Sequence, residues 1–155
     1  MGKVEDRLRQ LGIELPEAAA PVANYVGWVR SGMLIFTAGQ IPVVDGKPRY
    51  RGKAGVDVSI EEAADAARLC AINAISQARA ATGGDLERIA RVVKLTGFVN
   101  CNGDFTAHPQ VINGASDLMV EVFGEAGRHA RSAVGASSLP LDVTCEVEAV
   151  FEVCR

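Results

Sequence analysis

Aromatic side chains are scarce in this sequence: five Phe, two Tyr and one Trp make up 5% of 155 residues. A core therefore has to be assembled chiefly from Ala, Val, Ile and Leu. An excess of positive charge is also missing. The net charge of −3 leaves no whole-surface electrostatic footprint for nucleic acid. No apolar run approaches the roughly 20 residues of a membrane-spanning helix. The charged start (Lys3, Glu5, Asp6, Arg7, Arg9) has no apolar segment behind it of the kind a secretory leader carries. The expectation is a cytoplasmic protein with no membrane partner. The four cysteines, at positions 70, 101, 145 and 154, form no C-x-x-C pair. The two histidines, His108 and His129, lie outside any metal-like cysteine spacing, so neither a disulfide framework nor a metal site is expected. Walker loops, G-x-G-x-x-G, G-x-S-x-G and H-E-x-x-H are all absent. A hydrolytic triad built from a serine with His108 or His129 finds no support in spacing.

What is present fits one α+β domain. Hydrophobic residues at 48% and charged residues at 23% describe an ordinary globular chain. Residues 4–11 carry a short helical stripe, and 14–21, with Pro16 and Pro21, read as a connector. Strands are expected at 25–30 and 33–38 around a tight Ser31-Gly32 connection, the second strand apolar enough to be covered on both faces. Asp45-Gly46 marks a turn, followed over 47–56 by an exposed loop or edge strand. Ser59 and Glu62 form a capping box opening an Ala-rich helix over 59–81, which Gly83-Gly84 stops. A strand at 90–100, a helix at 109–123 and strands at 131–136 and 143–154 complete the order ββ-α-β-α-ββ. That order implies a mixed sheet with both helices on one side. In the last strand Val143, Cys145, Val147, Ala149, Phe151 and Val153 share one face. Thr144, Glu146, Glu148, Val150 and Glu152 share the other.

Two residues carry candidate chemistry. Arg131 opens a short apolar strand, where a guanidinium is either a solvated charge or a bidentate clamp for a carboxylate. Glu146, on the outward face of the last strand, is either an exposed carboxylate or a group that orients and activates water. Cys145 points the other way and reads as core.

From Arg131 the chain runs ARSAVGASSLPLDVTCEVEAVFEV, with Arg131-Ser132, then Leu139-Pro140, then Glu146-x-Glu148-Ala149. Upstream it runs NYVGWVRSGMLIFTAGQIPV, with Phe98-Val99 and Asp104-Phe105 between. This pattern, in order over residues 21–154, resembles the RidA/YjgF family of reactive-intermediate imine deaminases. The resemblance implies a chorismate mutase-like α+β fold in which two main helices pack on one face of a mixed β-sheet. It also implies a homotrimer with a ligand cleft at each subunit interface. The implied reaction needs no cofactor: hydrolysis of 2-imino or enamine acids to 2-keto acids and ammonia. By the same resemblance Arg131 holds the substrate carboxylate, Glu146 positions the water and Tyr25 lines the cleft. Gly39 and Asn113 contact the ligand, and the Ala133 amide assists Arg131. The implied partners are thus small 2-imino or 2-keto acids and further copies of the chain.

This sequence departs from the common pattern in several places. Ala38 stands where Ser precedes Gly-Gln, His129-Ala130-Arg131 replaces Pro-Ala-Arg, and Ala133 replaces Cys. The stretch 106–118 differs, and residues 1–20 form an extra helical extension and connector ahead of one domain at 21–155. These features mark a longer subgroup. The alternatives are a non-catalytic small-acid-binding or regulatory trimer, and a ribonuclease, a label the family carries and the acidic charge balance opposes.

Overall fold

The computed structural model describes residues 2–155. Helix α1 (Lys3–Gln10) is followed by strands β1 (Trp28–Ser31) and β2 (Leu34–Thr37) and a small hairpin, β3 (Val43–Val44) with β4 (Lys47–Pro48). The long helix α2 (Ile60–Ala81) leads to β5 (Ile89–Asn100), α3 (His108–Phe123), β6 (Ala130–Ala136) and β7 (Cys145–Val153). Five strands form one sheet in the order β1-β2-β7-β5-β6, antiparallel throughout except for the parallel β5–β6 pair. Helices α2 and α3 cover one face of the sheet and leave the other open. Among the described residues no helix is long and apolar enough to cross a membrane.

Local chemistry accounts for the main elements. The Ser59 hydroxyl accepts the Glu62 amide at 3.1 Å, and the Glu62 carboxylate accepts the Ser59 amide at 3.3 Å, closing the capping box of α2. The small residues Ala63, Ala66, Ala67, Cys70, Ala71 and Ala74 are fully buried, so α2 lies close to the sheet and to α3. Gly114 on α3 sets that closeness: a Cβ there would collide with the Ala64 backbone carbonyl of α2. Along β7 burial alternates without a break, with Cys145, Val147, Ala149, Phe151 and Val153 buried and the residues between them half-exposed.

Four expectations need correction. Tyr25 lies outside β1, which starts at Trp28, and is exposed in a bend. Strand β2 is covered on one face only: Ile35 is buried, whereas Phe36 is 43% exposed. The segment after β4 is tied to the core, not left as an exposed loop, because the Ala54 amide donates to the Asn100 carbonyl and Ala54 is buried. Thr144 precedes β7 and does not share the outward face of Glu146. It is fully buried, and its hydroxyl lies 3.0 Å from the Tyr50 carbonyl and 3.1 Å from that of Gly52.

The open face holds rows of cross-strand partners. Val29, Phe36, Val150 and Lys94 stand side by side across four strands, and Glu146, Phe98 and Val134 make a second row. Val29, Phe36 and Val134 are exposed apolar side chains in this face.

Candidate functional site

Strand register decides where Arg131 and Glu146 point. Arg131 pairs with Leu95, which pairs with the buried Ala149, so its side chain lies on the helix-covered face at the outer edge strand. Glu146 pairs with Phe98 on the opposite, open face. The two residues sit two strand spacings apart, roughly 10 Å across the sheet, and on different sides of it. One chain therefore does not bring them together, and the expected site falls into two halves.

The first half belongs to β6 and α3. An Nη1 hydrogen of Arg131 is donated to Asn113 Oδ1 at 2.8 Å, and another to Ser116 Oγ at 3.2 Å. Asn113 and Ser116 are three residues apart on α3, which puts both on one helix face. With Nη1 thus occupied, Arg131 retains Nε and Nη2, the edge suited to a carboxylate fork. Asn113 likewise keeps its Nδ2 donors. A hollow of about 300 Å³ opens here, lined by Asn113, Ser116, Asp117, Arg128, His129 and Arg131. Ala133 follows Arg131 on the same face of the same strand.

The second half gathers Glu146, Gly39 and Tyr25. After β2 the chain bends so that the Gln40 amide donates to the Val147 carbonyl at 2.8 Å and the Val147 amide donates back at 3.0 Å. This clamp lays Gly39 directly over the Glu146 side chain. A Cβ on Gly39 would stand 2.6 Å from Glu146 Oε2, so only glycine leaves the carboxylate in place. Burial, with the Glu148 carboxylate adding, holds the Glu146 carboxyl above the ordinary glutamate range. Tyr25 and Gly39 share a hollow of about 230 Å³ with Ala19, Ala38, Ile41 and Asn73. Tyr25 and its neighbour Val26 are both more than half exposed.

Sequence reasoning missed Ser116 and left His129 without a role. The signal for Ser116 was its one-turn spacing from Asn113. His108 stands elsewhere, with Nε2 3.5 Å from Cys101 Sγ and its ring edge-on to Phe105. A larger hollow of about 690 Å³, between α1 and the end of α2, contains none of the expected residues. Its Arg79 guanidinium is already bonded to the Leu15 and Pro16 carbonyls.

The model of the family described as "YjgF/chorismate_mutase-like, putative endoribonuclease" matches residues 5–153. The chain belongs to the YjgF/RidA family. Its similarity to protein TCP17 of Trypanosoma cruzi is 48% identity over 153 residues, 98% of this chain and 95% of that one. It also resembles Atu1372 of Agrobacterium tumefaciens, a solved structure of unknown function, at 46% identity and TM-score 0.92, covering 97% of this chain and 92% of the other. The "Putative reactive intermediate deaminase TdcF" of Escherichia coli K12 is 32% identical over 140 residues, 89% of this chain and 93% of TdcF. A structure of E. coli TdcF with bound serine superposes at TM-score 0.65 and 26% identity, over 89% of this chain and 94% of that one. The YjgF/RidA chorismate mutase-like α+β fold is therefore established for this chain.

Proposed function

We propose that this family member hydrolyses 2-imino and enamine acids to 2-keto acids and ammonia, without a cofactor, in clefts between the subunits of a homotrimer. The observation that carries the proposal is Arg131. Asn113 and Ser116 bond one terminal nitrogen and leave a planar two-donor edge free on an arginine that lines a hollow of about 300 Å³. A solvated surface arginine has no need of two side chains holding it in register. An orienting pair reduces the freedom that would otherwise be lost on gripping a carboxylate.

The half-sites complete each other when copies meet. The open sheet face, with Val29, Phe36 and Val134 exposed, is the surface a threefold assembly covers. Arg131 of one copy then grips the substrate carboxylate, assisted by Asn113 Nδ2 and the Ala133 amide. Tyr25, Gly39 and Glu146 of the next copy close the cleft over the imine carbon. Glu146 receives no hydrogen bond from the protein among the described residues, so its oxygens are available to a water. In the reaction a water oxygen adds to the C=N carbon while a water proton passes to Glu146. With the imine entering as its protonated form (C=NH2+), this addition gives a neutral carbinolamine. Glu146 then returns its proton to the nitrogen, and the C–N bond breaks with its electron pair leaving on ammonia. The hydroxyl oxygen gives up its proton to solvent as the keto C=O forms. A carboxyl whose proton affinity is raised suits both steps. Serine bound in TdcF shows that a relative accepts a small amino acid.

The test is ammonia release from an imine generated in situ, together with calorimetric titration by pyruvate and 2-oxobutyrate. Wild type should accelerate ammonia release, and Arg131→Lys should lose about ten- to a hundredfold in 2-keto acid affinity, because lysine keeps the charge and lacks the fork. Binding without accelerated release would instead mark a small-acid-binding trimer. Equal affinities in wild type and Arg131→Lys would remove the clamp.

A further inference from the structure

Beyond Arg131 the hydrogen-bond chain continues inward. Ser116 Oγ lies 2.8 Å from His129 Nε2, and His129 Nδ1 lies 2.6 Å from the Gly127 carbonyl oxygen. A carbonyl only accepts, so Nδ1 carries a hydrogen. In the neutral ring Nε2 is then an acceptor, which receives the Ser116 hydroxyl hydrogen. Both roles of the hydroxyl are thereby used: it donates to His129 and accepts from Arg131. Every link has one direction, Arg131 to Ser116 to His129 to the backbone of Gly127.

Without His129 the Ser116 hydroxyl could rotate away from the guanidinium and toward the carbonyl of the preceding helical turn, a common alternative for serine within a helix. The chain holds the hydroxyl in the one orientation whose lone pair meets Arg131. Gly127, in the short 3-10 turn Gly124–Gly127, ties this orientation to the segment that feeds β6. The remaining charged groups lining the hollow are Asp117 of α3 and Arg128, and Arg128 is paired with Glu125 at 3.1 Å.

We infer that Ser116 and His129 are positioning residues that orient the Arg131 fork toward a ligand carboxylate. The inference rests on the carboxylate-clamp reading of Arg131. Neither residue touches the reacting atoms. Both act through the guanidinium, and their effect is confined to ligands that carry a carboxylate.

The experiment is calorimetric titration of the assembled protein with pyruvate and, in parallel, with methyl pyruvate, which lacks the charged carboxylate. Ser116→Ala and His129→Leu should each weaken pyruvate binding about three- to tenfold, the scale of one neutral hydrogen bond, and leave methyl pyruvate unchanged. Ser116→Thr, which keeps the hydroxyl, should bind pyruvate like wild type. The double variant Ser116→Ala/His129→Leu should be no weaker than either single one, because each breaks the same chain. In an Arg131→Ala background neither should have a further effect. Wild-type pyruvate affinity in Ser116→Ala and His129→Leu, alongside loss in Arg131→Ala, overturns the positioning role and leaves the clamp standing. Equal weakening of pyruvate and methyl pyruvate also overturns it, since that is the mark of a general structural defect. Unchanged pyruvate affinity in Arg131→Ala overturns the clamp reading itself, and this inference with it.

Discussion

Substituting Gly39 by Ala perturbs Glu146 without touching it covalently. The new Cβ would stand 2.6 Å from Oε2 and 2.8 Å from Cδ, against an ordinary contact of 3.4 Å or more. The carboxylate must therefore retreat by about 0.8 Å, the difference between 3.4 and 2.6 Å. Glu146 is half-exposed and has room to swing, so the backbone need not yield. Gly39 is also outside the left-handed region, and alanine adopts its backbone conformation without strain. Stability should accordingly stay within about 1 kcal/mol of wild type, the scale of a compatible glycine-to-alanine change. Catalysis should suffer more, because a misplacement near 1 Å costs on the order of a hundredfold in rate. The assay is steady-state ammonia release from an in situ imine, with thermal melting as the control for folding. The reasoning also fixes the background dependence. In Glu146→Ala the obstacle is gone, so adding Gly39→Ala should cost nothing further. Wild-type turnover in Gly39→Ala, or an equal rate loss in the Glu146→Ala background, would refute the idea that Gly39 acts by leaving space for this carboxylate.

Glu146→Gln should retain 2-keto acid affinity and slow turnover by about two to four orders of magnitude, as loss of an acid–base group does; unchanged turnover would leave Glu146 a face residue like Glu148. The same variant carries a stability signature. Burial raises the folded-state pKa, so the wild-type contribution is full in acid and is lost as pH rises through that pKa. Glu146→Gln escapes the loss, and its melting temperature relative to wild type should rise from acid to neutral pH; a pH-independent difference would contradict the burial argument. In native protein one thiol per chain should react quickly with a colorimetric disulfide reagent. Cys154 is exposed, whereas Cys70, Cys101 and Cys145 are buried and burial pushes the Cys70 and Cys101 thiols up; two or more fast equivalents would mean that the core opens. Light scattering should return a mass near three times 16.3 kDa, about 49 kDa; a monomer at micromolar concentration would leave the open sheet face without its cover.

The parts of the fold that were legible in the sequence are those governed by local chemistry. Ser59 and Glu62 announce α2 because a capping box is complete within four residues, and β7 announces itself because its inward and outward positions alternate strictly. The apolar neighbours of Tyr25 look extended and predict a strand there. The pairing it would need ends where Gly39 and Gln40 leave β2 to bridge Val147, which no local pattern records. The tethering of residues 50–54 depends on carbonyls held by Thr144, some 90 residues away, so a sequence whose polarity suggests exposure is in fact tied down. Arg131 and Glu146 stand out by their places on their strands, with a bland alternative open for each, whereas Gly39, Tyr25, Asn113 and Ala133 enter only through the resemblance of motifs. Their division into two halves is not legible, since the relative facing of Arg131 and Glu146 passes through the register of β5. Ser116 shows in the sequence only as a serine one turn from Asn113, a spacing that acquires meaning once Arg131 is seen to reach both.

The claim that two copies share each site is tested most directly by mixing two inactive variants. On the proposed reading, Arg131→Ala and Glu146→Gln each remove one half of every cleft of a homotrimer. When the two are unfolded together in equal amounts and refolded, each cleft draws its halves from neighbouring chains at random. About one cleft in four then pairs an intact Arg131 with an intact Glu146, as expected for random threefold assembly. The account predicts recovery of about a quarter of the wild-type rate of ammonia release in the mixture, against near-zero rates for either variant refolded alone. A mixture no more active than its parents, with trimers of normal mass, would contradict it.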